Sequence, residues 1–150
     1  MDKQLIFDDA VSGIRKQGKR AIAHGGCVYR ASDGCKCAVG HLIPNDKYYS
    51  ELENYLGYSS EVLQTIDGKY GVTHKQDDGI FLRELQMCHD GGVFEFSDTE
   101  NILNNLLELN EKTPIEQEEI VEKAFEAFAR KYKLRYTKEP WNHANVSPVS

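Results

Sequence analysis

No run of apolar residues in this chain approaches the roughly 20 that a membrane-spanning helix needs, so the sequence predicts a protein with no membrane partner. Positive charge is also in deficit: 18 Lys and Arg stand against 24 Asp and Glu, a net charge of -6. That balance argues against nonspecific nucleic-acid binding, which needs a basic surface to displace counterions from phosphates. Cysteine is sparse, with four in 150 residues, and Cys35 and Cys37 stand one residue apart. With no signal-peptide pattern at the N-terminus, these thiols do not form a secreted disulfide framework, and a reduced, cytoplasmic protein is expected. Internal repeats and low-complexity segments are missing as well. A chain of this length buries enough surface to fold as one unit without staples, here expected over 1–134 with an irregular tail from 135 to 150.

What is present concentrates in Gly25 to Ile43, GGCVYRASDGCKCAVGHLI. Two short apolar runs flank Ser32-Asp33-Gly34, and a three-residue loop with glycine in the left-handed position commonly joins two strands. Pairing Ala31 with Cys35 would set Cys27, Tyr29, Ala31, Cys35, Cys37 and Val39 on one face, and Arg30, Lys36, Ala38 and Gly40 on the other. The expectation is a β-hairpin at about 27–43.

The remainder reads as helices. Phe7, Ala10, Val11 and Ile14 give a first helix over 4–17 ended by Gly18, with Arg15, Lys16, Lys19 and Arg20 at its C-terminal end as a solvated terminus or a phosphate contact. Asn45 can cap a helix over about 46–56 with Tyr48, Leu52, Tyr55 and Leu56 inward, and a short helix from Ser59 or Ser60 through Ile66 precedes a polar loop to Gly79. Phe81, Leu82, Leu85, Cys88 and His89 share one side of a helix that ends beside Gly91-Gly92. Ser97-Asp98-Thr99-Glu100 and Thr113-Pro114-Ile115-Glu116 are capping boxes opening two further helices. In the second of these, Ile120, Val121, Ala124, Phe125 and Phe128 point inward while Glu116, Glu118, Glu119 and Glu122 face water. Trp141 anchors the tail to the domain. The predicted class is therefore α+β: a mainly helical single domain with one β-hairpin packed on helices.

Three thiols on one hairpin face pack as small hydrophobes, bind metal, or include a nucleophile. The spacing C-x7-C-x-C-x3-H fits no usual zinc module, so neither a metal nor a cofactor is expected. His89, in the last turn of its helix, either bonds a backbone carbonyl or acts as a base for Cys37 or Cys27. Asp90, its neighbour, is expected to orient it poorly, because adjacent side chains on a helix diverge by about 100°.

The pattern C-x-Y-R, D-G-x-K-C-A-V-G-x-L-I-P, then Leu52-Glu53 and a later L-Q-x-x-H-D at Leu85–Asp90, resembles a family of small uncharacterised proteins from bacteria and their phages. The resemblance covers about 16–46 and 79–90 and carries no assigned activity. It implies that Cys35 is not a fixed position and directs attention to Cys27, Tyr29, Arg30, Lys36, Cys37, His89 and Asp90. Two functions are compatible with it. In the first, a phage or mobile-element accessory factor binds a host protein, for example to inhibit a host defence pathway, or a small phosphate-bearing anion, through Cys27, Tyr29, Arg30, Lys36, Gln86, His89 and Asp90. In the second, a hydrolase or transferase uses Cys37 or Cys27 as nucleophile and His89 as base.

Overall fold

Asp2 opens the first helix by accepting the amide of Leu5, and α1 then runs Lys3–Gln17 with Ile6, Phe7, Ala10, Val11 and Ile14 buried along one stripe. Gly18 closes it in the left-handed region at φ 76°, its N–H returning to the carbonyl of Ile14. The computed structural model describes residues 1–23, 26–90 and 108–143, and of Ile22, Ala23, Gly26 and Cys27 the backbone alone. The expected helix opened by Ser97 lies outside the described residues up to position 107, and the Gly91-Gly92 stop lies outside them altogether.

Among the described residues three further helices stand whole, α2 Ser60–Tyr70, α3 Gln76–His89 and α4 Pro114–Tyr132, and 108–110 are helical as well, with Leu109 in the core. Helix α4 starts as its sequence dictates, with Pro114 at the first position and the Thr113–Glu116 capping box formed in both directions. Helix α2 runs one turn beyond the expected stop. The extra turn buries Tyr70, whose hydroxyl donates to Asp9 at 2.7 Å and whose carbonyl accepts the amide of Asp2, so burial outweighs the turn propensity of Asp67-Gly68. Helices α1, α3 and α4 meet in an aromatic cluster. Phe7 stacks on Phe128 at 5.7 Å, and Phe81 meets Phe128 at 5.0 Å and Tyr132 edge-on at 4.8 Å. Such pairs add about 0.5–1.5 kcal/mol each beyond the area they bury.

The fold is all-α, which corrects the expected α+β class. The segment expected to be a hairpin keeps its loop and loses its strands. Gly34 sits at φ 87° and Ala31 donates to the carbonyl of Cys35 at 2.8 Å, as the three-residue loop requires. Beyond Cys37 the chain coils, with His41 N–H returning to Cys37 and Leu42 N–H to Val39, leading into a 3-10 turn at Gly40–Leu42. The physical reason is that both presumed faces are buried: Cys37, Ala38, Val39 and Gly40 are all inside, so an apolar run read as alternating is a buried coil. Gly40 also packs against the carbonyl of Tyr29, where a Cβ would come within 2.2 Å. Extended pairing among the described residues is confined to Ile22–Ala23 against Gly26–Cys27, two residues a side and too short to make a sheet.

Three further expectations change. Residues 46–56 form two 3-10 pieces, Asn45–Lys47 and Ser50–Asn54, separated by extended Tyr48 and Tyr49, and Tyr55 and Leu56 point outward. Tyr48 is held extended because its hydroxyl donates to Glu53 and its ring lies under the Arg30 guanidinium. Glu122 does not face water. It is buried on α4 and accepts both Arg15 Nε at 3.1 Å and Nη2 at 2.7 Å, the Tyr136 hydroxyl and the indole N–H of Trp141. Arg15 and Arg20 are not a solvated terminus either, since Arg20 is buried and donates to the His89 carbonyl at 2.6 Å and to Asn110 at 2.7 Å. Among the described residues no helix is long and apolar enough to cross a membrane.

Candidate functional site

The end of α3, the coil through Cys37 and the 3-10 turn carrying Glu53 converge on a cleft of about 240 Å³. Four of the residues singled out in the sequence line it, namely Tyr29, Cys37, Gln86 and Asp90, together with Glu53, Tyr55 and Leu56. Glu53 organises one wall. Its carboxylate accepts the backbone amides of Tyr29 at 2.9 Å and Arg30 at 3.1 Å, and the Tyr48 hydroxyl at 2.7 Å. Burial, and then the bond to Glu53, push the Tyr48 phenol up to about 12. Tyr29 spans the cleft edge, its hydroxyl donating to the carbonyl of Tyr55 at 2.5 Å, and burial raises its pKa as well. Gln86 closes the opposite wall by accepting the amide of Val39 at 3.1 Å, which fixes the coil to α3.

His89 stands behind this wall with no exposed surface. Its Nε2 accepts the amide of Ala21 at 3.3 Å, so Nδ1 carries the proton and donates to Asp90 at 3.0 Å. Asp90 thus orients its neighbour after all. As the C-cap it has left the helical backbone, at φ -81° and ψ 1°, and its side chain folds back on the imidazole. Burial lowers the His89 pKa against the pull of Asp90, and Arg20 Nη2 stands 4.0 Å from the same carboxylate oxygen. Both ring nitrogens are engaged, and neither is offered to the cleft.

The thiols are equally closed. Cys37 is 1 % exposed, and its sulfur accepts the amide of Gly40 at 3.4 Å. Burial pushes it up to about 12, so at neutral pH it is a thiol and not a thiolate. Cys35 and Cys88 are buried with raised pKa values for the same reason. The side chain of Cys27 lies outside the described atoms. Among the described residues no three His, Cys, Asp or Glu side chains converge as metal ligands.

The two cations expected at this site are elsewhere. The Arg30 guanidinium lies 4.3 Å over the Tyr48 ring and donates to the Ile43 carbonyl, and Lys36 exchanges backbone hydrogen bonds with Gln17. Neither lines the cleft, and its charged walls are carboxylates. The sequence reading named Arg20 only in the basic cluster at the end of α1, and no local signal brings it to His89 and Asp90. Glu53 lies within the pattern that carries the resemblance. The chain matches no family model, no curated protein and no solved structure.

Proposed function

We propose that the chain is a binding protein that engages a partner protein through the turn Tyr55-Leu56-Gly57-Tyr58 and the cleft beneath it. The observation that supports this most is the state of the reactive groups, since both His89 nitrogens are bonded internally and Cys37 is buried and protonated. The same turn presents Tyr55 and Tyr58 and leaves Leu56 62 % exposed, an apolar strip next to the carboxylates of Glu53 and Asp90. A basic side chain flanked by apolar groups fits that combination better than the phosphate-bearing ligand expected from the sequence. The resemblance to phage and bacterial proteins supports an accessory factor that acts in the cytoplasm by occupying a host protein, with inhibition of a host defence pathway as its effect.

The test is quantitative capture from host lysate on the immobilised chain, comparing wild type with Leu56→Asp. Leu56 is exposed, so the variant keeps its thermal midpoint. A discrete protein retained by wild type and lost by the variant is the expected result. Equal retention by both, or turnover that vanishes when Cys37 is replaced by serine, would sink this reading.

A further inference from the structure

A second groove, about 270 Å³, runs along the N-terminal half of α3 on the far side of Tyr58. Its floor and one wall are apolar: Leu63 of α2 is buried beneath it, and Ile80 and Tyr58 are 39 % and 42 % exposed. Gly79 lies against Tyr58, where an added Cβ would stand in ordinary contact with Tyr58 Cβ at 3.4 Å. The rim is cationic. His74, Lys75 and Arg83 line it, and among the described residues none of the three has a side-chain hydrogen bond or ion pair. In a chain of net charge -6 this is a local reversal of sign.

The two carboxylates of the same helical turn do not cancel it. Asp78 accepts both the amide and the hydroxyl of Thr73, at 2.7 and 2.9 Å, and faces the N-terminal amine and Lys3. Asp77 lies within electrostatic reach of Tyr132 on α4. Neither lines the groove.

We infer that this groove binds a small organic phosphate whose flat apolar body lies on Tyr58, Leu63 and Ile80 while its dianion is held by Lys75 and Arg83. Arg offers a planar fork to phosphate and Lys a mobile point charge, and an aromatic wall stacks on a flat ring. Both cations are exposed and, among the described residues, without partners, so meeting an anion breaks no internal bond. The groove shares no lining residue with the cleft at the other end of α3, and Tyr58 alone belongs both to it and to the turn proposed to meet a partner protein.

The experiment is an amide-resolved NMR titration of the full chain with phenyl phosphate, with inorganic phosphate and phenol as controls. Shifts are expected around 58–63 and 74–83, with saturation, and phenyl phosphate is expected to bind about tenfold tighter than inorganic phosphate because only it covers the apolar floor. Lys75→Ala and Arg83→Ala should each weaken it about fivefold or more without moving the thermal midpoint. Shifts outside the groove, equal affinity for inorganic phosphate, or indifference to both substitutions would overturn the assignment. Leu56→Asp should leave this titration unchanged, which separates the failure of one surface from that of the other.

Discussion

Gly13 sits in the middle of α1, where replacing glycine by alanine ordinarily stabilises a helix by about 1 kcal/mol. Here the sign should invert. A Cβ at this position would stand 2.4 Å from His41 Nδ1, 2.5 Å from Cγ and 2.8 Å from Cε1, because the imidazole lies flat against the helix. Cγ stays in place when the ring turns about χ2, so only a change of χ1 or a shift of the backbone clears it. The ring must back away by about 1 Å or more, and with three of its atoms under 3 Å the overpacking cost falls at the upper end of the usual range, about 2–3 kcal/mol. Its Nε2 is already buried and, among the described residues, without a hydrogen-bond partner, so a displaced ring has no described contact of that nitrogen to exchange. Gly13→Ala should therefore lose about 1–2 kcal/mol net, a fall in thermal midpoint of roughly 2–8 °C for a chain of this length. In a His41→Ala background the clash is gone and the same substitution should gain about 1 kcal/mol, giving a coupling of about 2–3 kcal/mol. Urea melts of the four variants followed by circular dichroism measure this cycle. A stabilising Gly13→Ala in the otherwise unchanged chain, or the same shift in both backgrounds, would refute the contact.

His41 also sets a pH dependence. Burial first, then Lys36 and His89, push it down to about 4, so between pH 6.5 and 4 the unfolded chain takes up a proton that the folded chain refuses. The stability is complete above pH 6.5 and falls by about 3 kcal/mol as pH drops to 4, with His89 adding a loss of the same sign. Urea midpoints across that window should fall less steeply for His41→Gln, and an unchanged slope would count against this burial. Glu122→Gln leaves Arg15 facing a neutral amide and should cost about 3 kcal/mol or more, seen as a lowered midpoint and a red shift of the emission from Trp141, the single tryptophan. Native-state alkylation followed by mass spectrometry should leave Cys35, Cys37 and Cys88 unmodified over hours and label them on unfolding. Rapid labelling of Cys37 in the folded chain would reinstate it as a nucleophile.

How much of the fold is legible in the sequence depends on how far apart the interacting residues lie. The Thr113–Glu116 box, Gly18 as a stop and the stripe Phe7-Ala10-Val11-Ile14 are local patterns, and each stands where the sequence put it. The loop Ser32-Asp33-Gly34 is equally readable, but the course of the chain beyond Cys37 is not. Alternation identifies a strand only when one face is wet, and around Cys37-Ala38-Val39-Gly40 none is. Glu122 sits in the acidic first half of α4 and carries no mark that Arg15, 107 positions away, will reach it. At the candidate site, Tyr29, Cys37, Gln86 and Asp90 stand out by turn chemistry and helix phase, and the structure brings them to one cleft. Arg30 and Lys36 would reach it only through a hairpin face that does not exist.

The closure of α1 has a consequence for how the chain is made. The carbonyl of Arg15 in the last turn of that helix receives its hydrogen bond from the amide of Asn142, and Gly18 must lack a side chain because the Asn142 carbonyl occupies the space. During synthesis the first helix thus leaves the ribosome long before the residue that finishes it. A chain truncated before Trp141 would hold the first and fourth helices, with Arg15 and Glu122 both present, yet would lack the indole that shares the Glu122 carboxylate. The end of the first helix and the Glu122 cluster thus both depend on the same short stretch, Trp141 and Asn142.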